Sequence, residues 1–154
     1  MLSNNELITV YIPTYNRLKF LKRAVDSVLS QSYQNFELII VDDCSQDKTV
    51  EYLKKLSSND KRILFFQNIE NRGACASRNK AITEAKGKYI TGLDDDDEFT
   101  SIRLKFFIKN FKKNYSFICS SIITVNSKKL HFSSNRDLVF REHDLIYDNV
   151  AGNQ

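Results

Sequence analysis

Four short runs, Leu7-Ile-Thr-Val-Tyr-Ile12, Phe36-Glu-Leu-Ile-Ile-Val41, Ile63-Leu-Phe-Phe66 and Lys88-Tyr-Ile-Thr-Gly-Leu93, are rich in β-branched and aromatic residues. Each reads as a strand, and each is followed by a stretch with helical spacing. After the first run and its Pro13, Asn16 is placed to cap a helix that gathers Leu18, Leu21, Val25 and Val28 on one face. After the second, Ser45 or Asp47 starts a helix with Val50, Leu53 and Leu56 as its apolar stripe. Residues 73–86 follow the third run as a helix, ended by Gly87, a residue type that tolerates a left-handed C-cap. Residues 100–113 form the fourth helix, carrying Ile102, Phe106 and Phe111. Parallel neighbours require a crossover connection, so four strand–helix units in a row predict an α/β fold: a doubly wound, mostly parallel sheet. Beyond residue 116 the pattern changes. Residues 117–125 and 130–132 read as a hairpin, residues 142–147 as a short helix, and the rest of 133–154 is polar and poorly periodic.

A length of 154 residues fits one domain with a sizeable core. With 42% hydrophobic and 12% aromatic residues the chain is not of the disordered class. No apolar run approaches the roughly 20 residues that span a bilayer, and the first six residues lack a basic start and an apolar core. Cys44, Cys75 and Cys119 are an odd number at wide spacing, which predicts reduced thiols in a cytoplasmic setting rather than a disulfide framework or zinc site. Residues 101–154 carry nine basic and four acidic side chains, but no nucleic-acid-binding module accompanies this excess, so nucleic acid is not an expected partner.

In open α/β sheets ligands bind at the carboxyl ends of the strands. There the first run gives Pro13-Thr-Tyr-Asn-Arg17, the second Asp42-Asp43-Cys44-Ser45, the third leads to Asn71-Arg72-Gly73, and the fourth enters Asp94-Asp-Asp-Asp-Glu98. Five consecutive carboxylates repel one another unless a cation sits among them. Mg²⁺ and Mn²⁺ take oxygen ligands, commonly one or two carboxylates plus substrate phosphates. In an extended segment alternate residues share a face, so Asp94 and Asp96 form an Asp-x-Asp pair. Asp42 and Asp43 are one carboxylate more than a strand-ending turn needs. Arg78, about one and a half turns into the third helix, can reach a diphosphate or pair with the acidic run. His131 and His143 have no companion at ligand spacing, and Cys44 is incidental. The chain has no GxGxxG after its first strand, no GxxxxGK[ST] and no GxSxG elbow, which removes the usual dinucleotide, P-loop and α/β-hydrolase readings.

Val10-Tyr-Ile-Pro-Thr-Tyr-Asn16, Leu38-Ile-Ile-Val-Asp-Asp-Cys-Ser45, Asn71-Arg-Gly73 with Ala76-Ser-Arg-Asn79, and Gly87-Lys-Tyr-Ile-Thr-Gly-Leu-Asp-Asp-Asp-Asp97, in that order, resemble family 2 glycosyltransferases of the GT-A fold. The resemblance implies a single GT-A domain over 1–154, with a nucleotide-sugar-binding half at 7–113 and a partial acceptor side at 114–154. It implies a nucleotide-diphospho-sugar donor (a UDP-sugar foremost), Mn²⁺ or Mg²⁺, and inverting transfer to the hydroxyl of a glycan or lipid-linked acceptor. Carried onto this sequence, Pro13 and Thr14 line the nucleotide pocket, and Asp43, with Asp42, meets the base. Arg72 or Arg78 approaches the donor, Asp94 and Asp95 lie near the ribose, and Asp96 holds the metal with Asp94. The family's general base has no counterpart here, since Asp144 and Asp148 fall in the wrong kind of segment; it is expected beyond Gln154, in a part this chain lacks. Bacterial surface-polysaccharide synthesis at the inner face of the membrane is the expected setting. The alternative is a response-regulator-like receiver domain, in which Leu38-Ile-Ile-Val-Asp-Asp43 would carry a phosphoacceptor aspartate. Lys105, Lys109, Lys112 and Lys113 beside Phe106, Phe107 and Phe111 also allow a peripheral membrane contact.

Overall fold

The computed structural model describes residues 5–111 in full and the backbone of 123–125 and 130–132. Two units, Met1–Ser116 and Phe117–Gln154, divide the chain. In the first, β1 (Ile8–Thr14), α1 (Leu18–Leu29), β2 (Phe36–Asp42), α2 (Thr49–Asn59), β3 (Ile63–Gln67), α3 (Gly73–Glu84), β4 (Tyr89–Gly92) and α4 (Arg103–Asn110) alternate as the sequence predicts. In the second, β5 (Ile123–Val125) and β6 (Leu130–Phe132) pair antiparallel, which is the hairpin. The helix expected at 142–147 lies outside the described residues.

The four strands form one parallel sheet in the order β3-β2-β1-β4. Strands buried on both faces explain the near-continuous apolar runs of β1 and β2. Ile8, Val10 and Ile12 of β1 and Phe36, Leu38 and Ile40 of β2 face one core, closed by Leu21, Ala24, Val25 and Val28 of α1, Leu53 of α2, and Leu104 and Ile108 of α4. Ile39 and Val41 point the other way, against Ala81 of α3. The sheet is thus doubly wound, with α3 alone among the described helices contributing to the second core. The register brings Thr14 beside Asp42, and Asp42 beside Gln67, so the carboxyl ends of β1, β2 and β3 lie level. β4 ends beside Tyr11, and the Leu93 N–H donates to the Tyr11 carbonyl, which directs the acidic run along the end of β1.

Three local expectations are corrected. Asn16 does not cap α1. It takes φ 54°, its N–H donates to Ser45 Oγ at 2.8 Å, and its Oδ1 accepts the Gln46 N–H at 2.7 Å, so it clamps the β1–α1 loop to the β2–α2 loop. Gly87 does not end α3, which stops at Glu84 with Ala85 already extended. A Cβ on Gly87 would lie 2.4 Å from the Thr9 nitrogen, so the glycine is there for close approach of two backbones. On α4 the buried stripe is Leu104 and Ile108; Ile102 and Phe106 are 58% and 50% exposed, while the Phe111 ring packs at a tilt against Tyr89, with ring centroids 4.8 Å apart.

Candidate functional site

The level strand ends open into a cleft of about 370 Å³, lined by Pro13, Thr14, Tyr15, Arg17, Asp43, Ala74, Ser77, Arg78, Asp94, Asp95 and Asp96. Segments that follow β1, β2 and β4 converge there with the first turns of α3, and Asp43 and Asp96 share one cavity.

Asp43, the residue after β2, is 3% exposed. Its Oδ1 accepts the Asn68 amide at 2.7 Å and the Arg72 N–H at 2.9 Å, and its Oδ2 accepts the Gly73 N–H at 2.7 Å. Burial alone would raise this carboxyl; hydrogen bonds from the Arg72 N–H, Asn68, the Gly73 N–H and Ser77 outweigh it and hold the pKa below the ordinary value. The two backbone donors belong to the orphan N–H groups at the start of α3, so Asp43 closes that helix end from another strand.

Asp42 is fully buried, accepts the Ser45 N–H at 3.1 Å through Oδ2, and is not part of the cleft lining. Its Oδ1 has no hydrogen-bond partner among the described residues. Arg72 enters through its backbone N–H rather than its side chain.

The acidic run is held by cations and a hydroxyl. Thr14 Oγ1 donates to Asp95 Oδ2 at 2.8 Å, Arg78 Nη2 lies 2.7 Å from Asp94 Oδ1, and Arg17 Nη1 lies 3.3 Å from Asp95 Oδ1 and 2.7 Å from Asp96 Oδ2. Asp95 and then Asp96 raise the Arg17 pKa, and the hydrogen bond to Asp94 raises that of Arg78. Asp97, just past the lining, is pushed up by burial and by the charges of Asp96 and Asp94, so the repulsion inferred from the sequence is present in the fold. Among the described residues no three His, Cys, Asp or Glu side chains are grouped as a closed metal site. The donor set that is present, two carboxylates one residue apart with oxygen ligands only, fits a Mg²⁺- or Mn²⁺-type ion that takes its other ligands from phosphates and water.

Arg17, Tyr15 and Ser77 line the cleft without having been singled out in the sequence. For Arg17 a signal existed: a cation four residues past the strand-ending proline, on the same rim as the acidic run.

A family model described as glycosyl transferase family 2 matches residues 9–152. The chain belongs to that family. The receiver-domain alternative falls with this assignment. Among its relatives in the family is an Escherichia coli protein named "Putative colanic acid biosynthesis glycosyl transferase WcaA", 51% identical over 109 residues, or 70% of this chain and 38% of the relative. A Haemophilus influenzae glycosyltransferase is 35% identical over 98% of this chain and 52% of its own length, so the chain spans about half or less of these relatives. Staphylococcus aureus TarS, solved in complex with UDP-GlcNAc, aligns over 64% of this chain and 29% of that chain, with a TM-score of 0.58 and 31% identity. The GT-A type of fold expected from the sequence is therefore present.

Proposed function

We propose that residues 7–113 are the donor-binding half of a glycosyltransferase that moves a sugar, with inversion, from a nucleoside diphosphate to an acceptor hydroxyl. One observation carries this reading: a strand-end cleft lined by Asp43 and by Asp94, Asp95 and Asp96, with Arg17 and Arg78 paired to the acidic run. That pattern suits a ligand that is itself polar at one end and polyanionic at the other. Pro13 and Thr14 form the floor under the nucleoside. Asp43, next to Asp42 at the end of β2 and held by the Arg72 and Gly73 backbone, is the group that the base meets. Asp94 and Asp95 stand on the ribose side, and Arg78 supplies guanidinium donors to the diphosphate.

Asp96, with Asp94, would hold a divalent cation of the Mn²⁺ or Mg²⁺ type. When bound, such an ion stabilises the charge developing on the leaving nucleoside diphosphate, an effect worth several kcal/mol. The Thr14 hydroxyl fixes one oxygen of Asp95, so the middle carboxylate of the run is oriented before any ligand arrives. Inverting displacement also needs a carboxylate within hydrogen-bond reach of the acceptor hydroxyl.

A UDP-sugar is the preferred donor, supported by the likeness to TarS, whose structure is described in complex with UDP-GlcNAc. A glycan or lipid-linked acceptor in bacterial surface-polysaccharide synthesis is supported by the relative named for colanic acid biosynthesis. Such work would place the protein at the cytoplasmic face of a membrane; among the described residues no helix is long and apolar enough to cross one. Calorimetry with UDP and GDP, with and without Mn²⁺, tests the reading. Metal-dependent binding that disappears in Asp96→Ala is expected, and binding that is absent or indifferent to metal overturns it.

A further inference from the structure

Of the two described cations that line the cleft, Arg17 bridges two residues of the acidic run, and it occupies Oδ2 of Asp96, the carboxylate assigned above to a divalent ion. Its backbone and its side chain are held very differently. The backbone is fixed: Asn16, at φ 54°, is tied to Ser45 and Gln46, and the Arg17 carbonyl accepts the N–H groups of Phe20 and Leu21 at the start of α1. The side chain is 51% exposed and Asp96 is 49% exposed, so their pair lies in water, where ion pairs are weak and exchange readily. Arg78 differs, being less exposed and paired with Asp94 alone among the residues of the run. A tethered, half-exposed guanidinium paired with two carboxylates of the cleft is placed to give up Asp96 when a stronger cation arrives, and a planar fork matches phosphate oxygens as well as carboxylate ones.

We propose that Arg17 is the resident counter-ion of the acidic run, competing with the divalent cation for Asp96 and re-pairing with the donor diphosphate once the cation is seated. The inference rests on the donor-binding reading above. It makes Arg17 a binding residue whose two partners are used in turn: the carboxylates first, the diphosphate second. The competition keeps the free protein's hold on the metal weak and couples metal binding to donor binding, because the diphosphate replaces the Asp96 partner that the cation takes from Arg17, leaving Asp95 as the other.

The test titrates the purified chain with MnCl₂ alone and then with UDP in saturating Mn²⁺. Arg17→Gln should bind Mn²⁺ alone about threefold more tightly, the size an exposed ion pair sustains. The same variant should bind UDP in Mn²⁺ about tenfold more weakly, through loss of a charge-assisted contact. Arg23→Gln removes an equal charge from the neighbouring Glu98 pair and should do neither. Unchanged or weaker Mn²⁺ binding in Arg17→Gln overturns the inference, as does an equal gain in Arg23→Gln, which would reduce it to net charge. Should Arg17→Gln fail to fold by circular dichroism, Arg17→Lys, which keeps the charge but not the fork, must give the same two directions at smaller size. Failure of this inference is distinguishable from failure of the donor-binding reading. Metal-dependent UDP binding in the unaltered chain, with Mn²⁺ affinity indifferent to Arg17, sinks only the former; no UDP binding to the unaltered chain sinks both.

Discussion

The Asp43 carboxylate accepts the backbone N–H of Gly73 at 2.7 Å, joining the end of β2 to the first residue of α3. One buried charge thereby stops a helix end that carries positive dipole and sets the position from which Arg78 reaches Asp94. Site and scaffold are the same atoms here.

Asp43→Asn should lower stability by about 1.5–3 kcal/mol, the range for hydrogen bonds to a charged group, because two backbone N–H donors and the Asn68 amide lose their anion. The Asp43 pKa is depressed in the fold, so the native state holds the proton less tightly than the unfolded chain does. Its stabilisation is complete above about pH 4 and is lost as pH falls through the depressed native value. Urea midpoints from pH 7 down to pH 3 should therefore show the gap between variant and unaltered protein narrowing with acid. A gap that stays constant across that range would contradict the assignment.

Gly87→Ala should cost about 3 kcal/mol, at the upper end for overpacking, since the added Cβ would stand 2.4 Å from the Thr9 nitrogen and 2.9 Å from the Ile8 carbonyl carbon. Backbone cannot swing aside as a long side chain can. The same peptide donates to Thr9 Oγ1 at 2.9 Å and Glu37 Oε1 at 3.1 Å, so relief of the clash would draw β4 away from β1 and move the acidic run with it. Chemical denaturation measures the first effect, and weakened metal-dependent UDP binding the second.

What was legible in the sequence and what was not divides on physical grounds. β1 and β2 were legible because strands buried on both faces leave unbroken apolar runs, and the rim was legible because polar residues follow each run at once. Asn16 was misread because asparagine is favoured both at helix N-caps and in the left-handed region, and only the partner loop decides between them. Gly87 was misread for a similar reason: a helix cap and a close approach both call for a missing Cβ. On α4 the apolar positions 102, 104, 106, 107, 108 and 111 offer two stripes. The buried Gln31 selects one, donating to the Thr100 carbonyl at 2.7 Å and accepting the Leu104 N–H at 3.0 Å, a polar lock made by a residue 69 and 73 positions away. Long-range partners of this kind leave no trace in local periodicity. The Arg17 pairing with Asp96 is of the same sort, 79 residues apart.

Arg78→Gln should separate binding from stability. The Arg78–Asp94 pair is partly exposed, so its loss should change the unfolding free energy by less than about 1 kcal/mol. UDP affinity in Mn²⁺ should fall by about tenfold or more, because a guanidinium on the rigid α3 loses its contact with the diphosphate. Thermal melts and calorimetry on one preparation read both. A large drop in melting temperature with unchanged affinity would make Arg78 a structural residue instead.

Asp97→Asn should raise the melting temperature at neutral pH. Burial, then the charges of Asp96 and Asp94, push the Asp97 pKa up in the fold, so the folded protein binds this proton more tightly than the unfolded chain. Stability therefore falls as pH rises from the ordinary carboxyl value, about 4, through the raised native one, the opposite sense to Asp43. At pH 7 the charge opposes folding, and its removal should gain about 1–2 °C. Near pH 3.5, where Asp97 is largely protonated in the fold, the gain should vanish. Added Mn²⁺ should shrink it too, since a cation on Asp96 and Asp94 relieves the same repulsion. An Asp97→Asn gain that persisted in acid would mean that the side chain acts through packing, and the electrostatic account of the acidic run would lose its support.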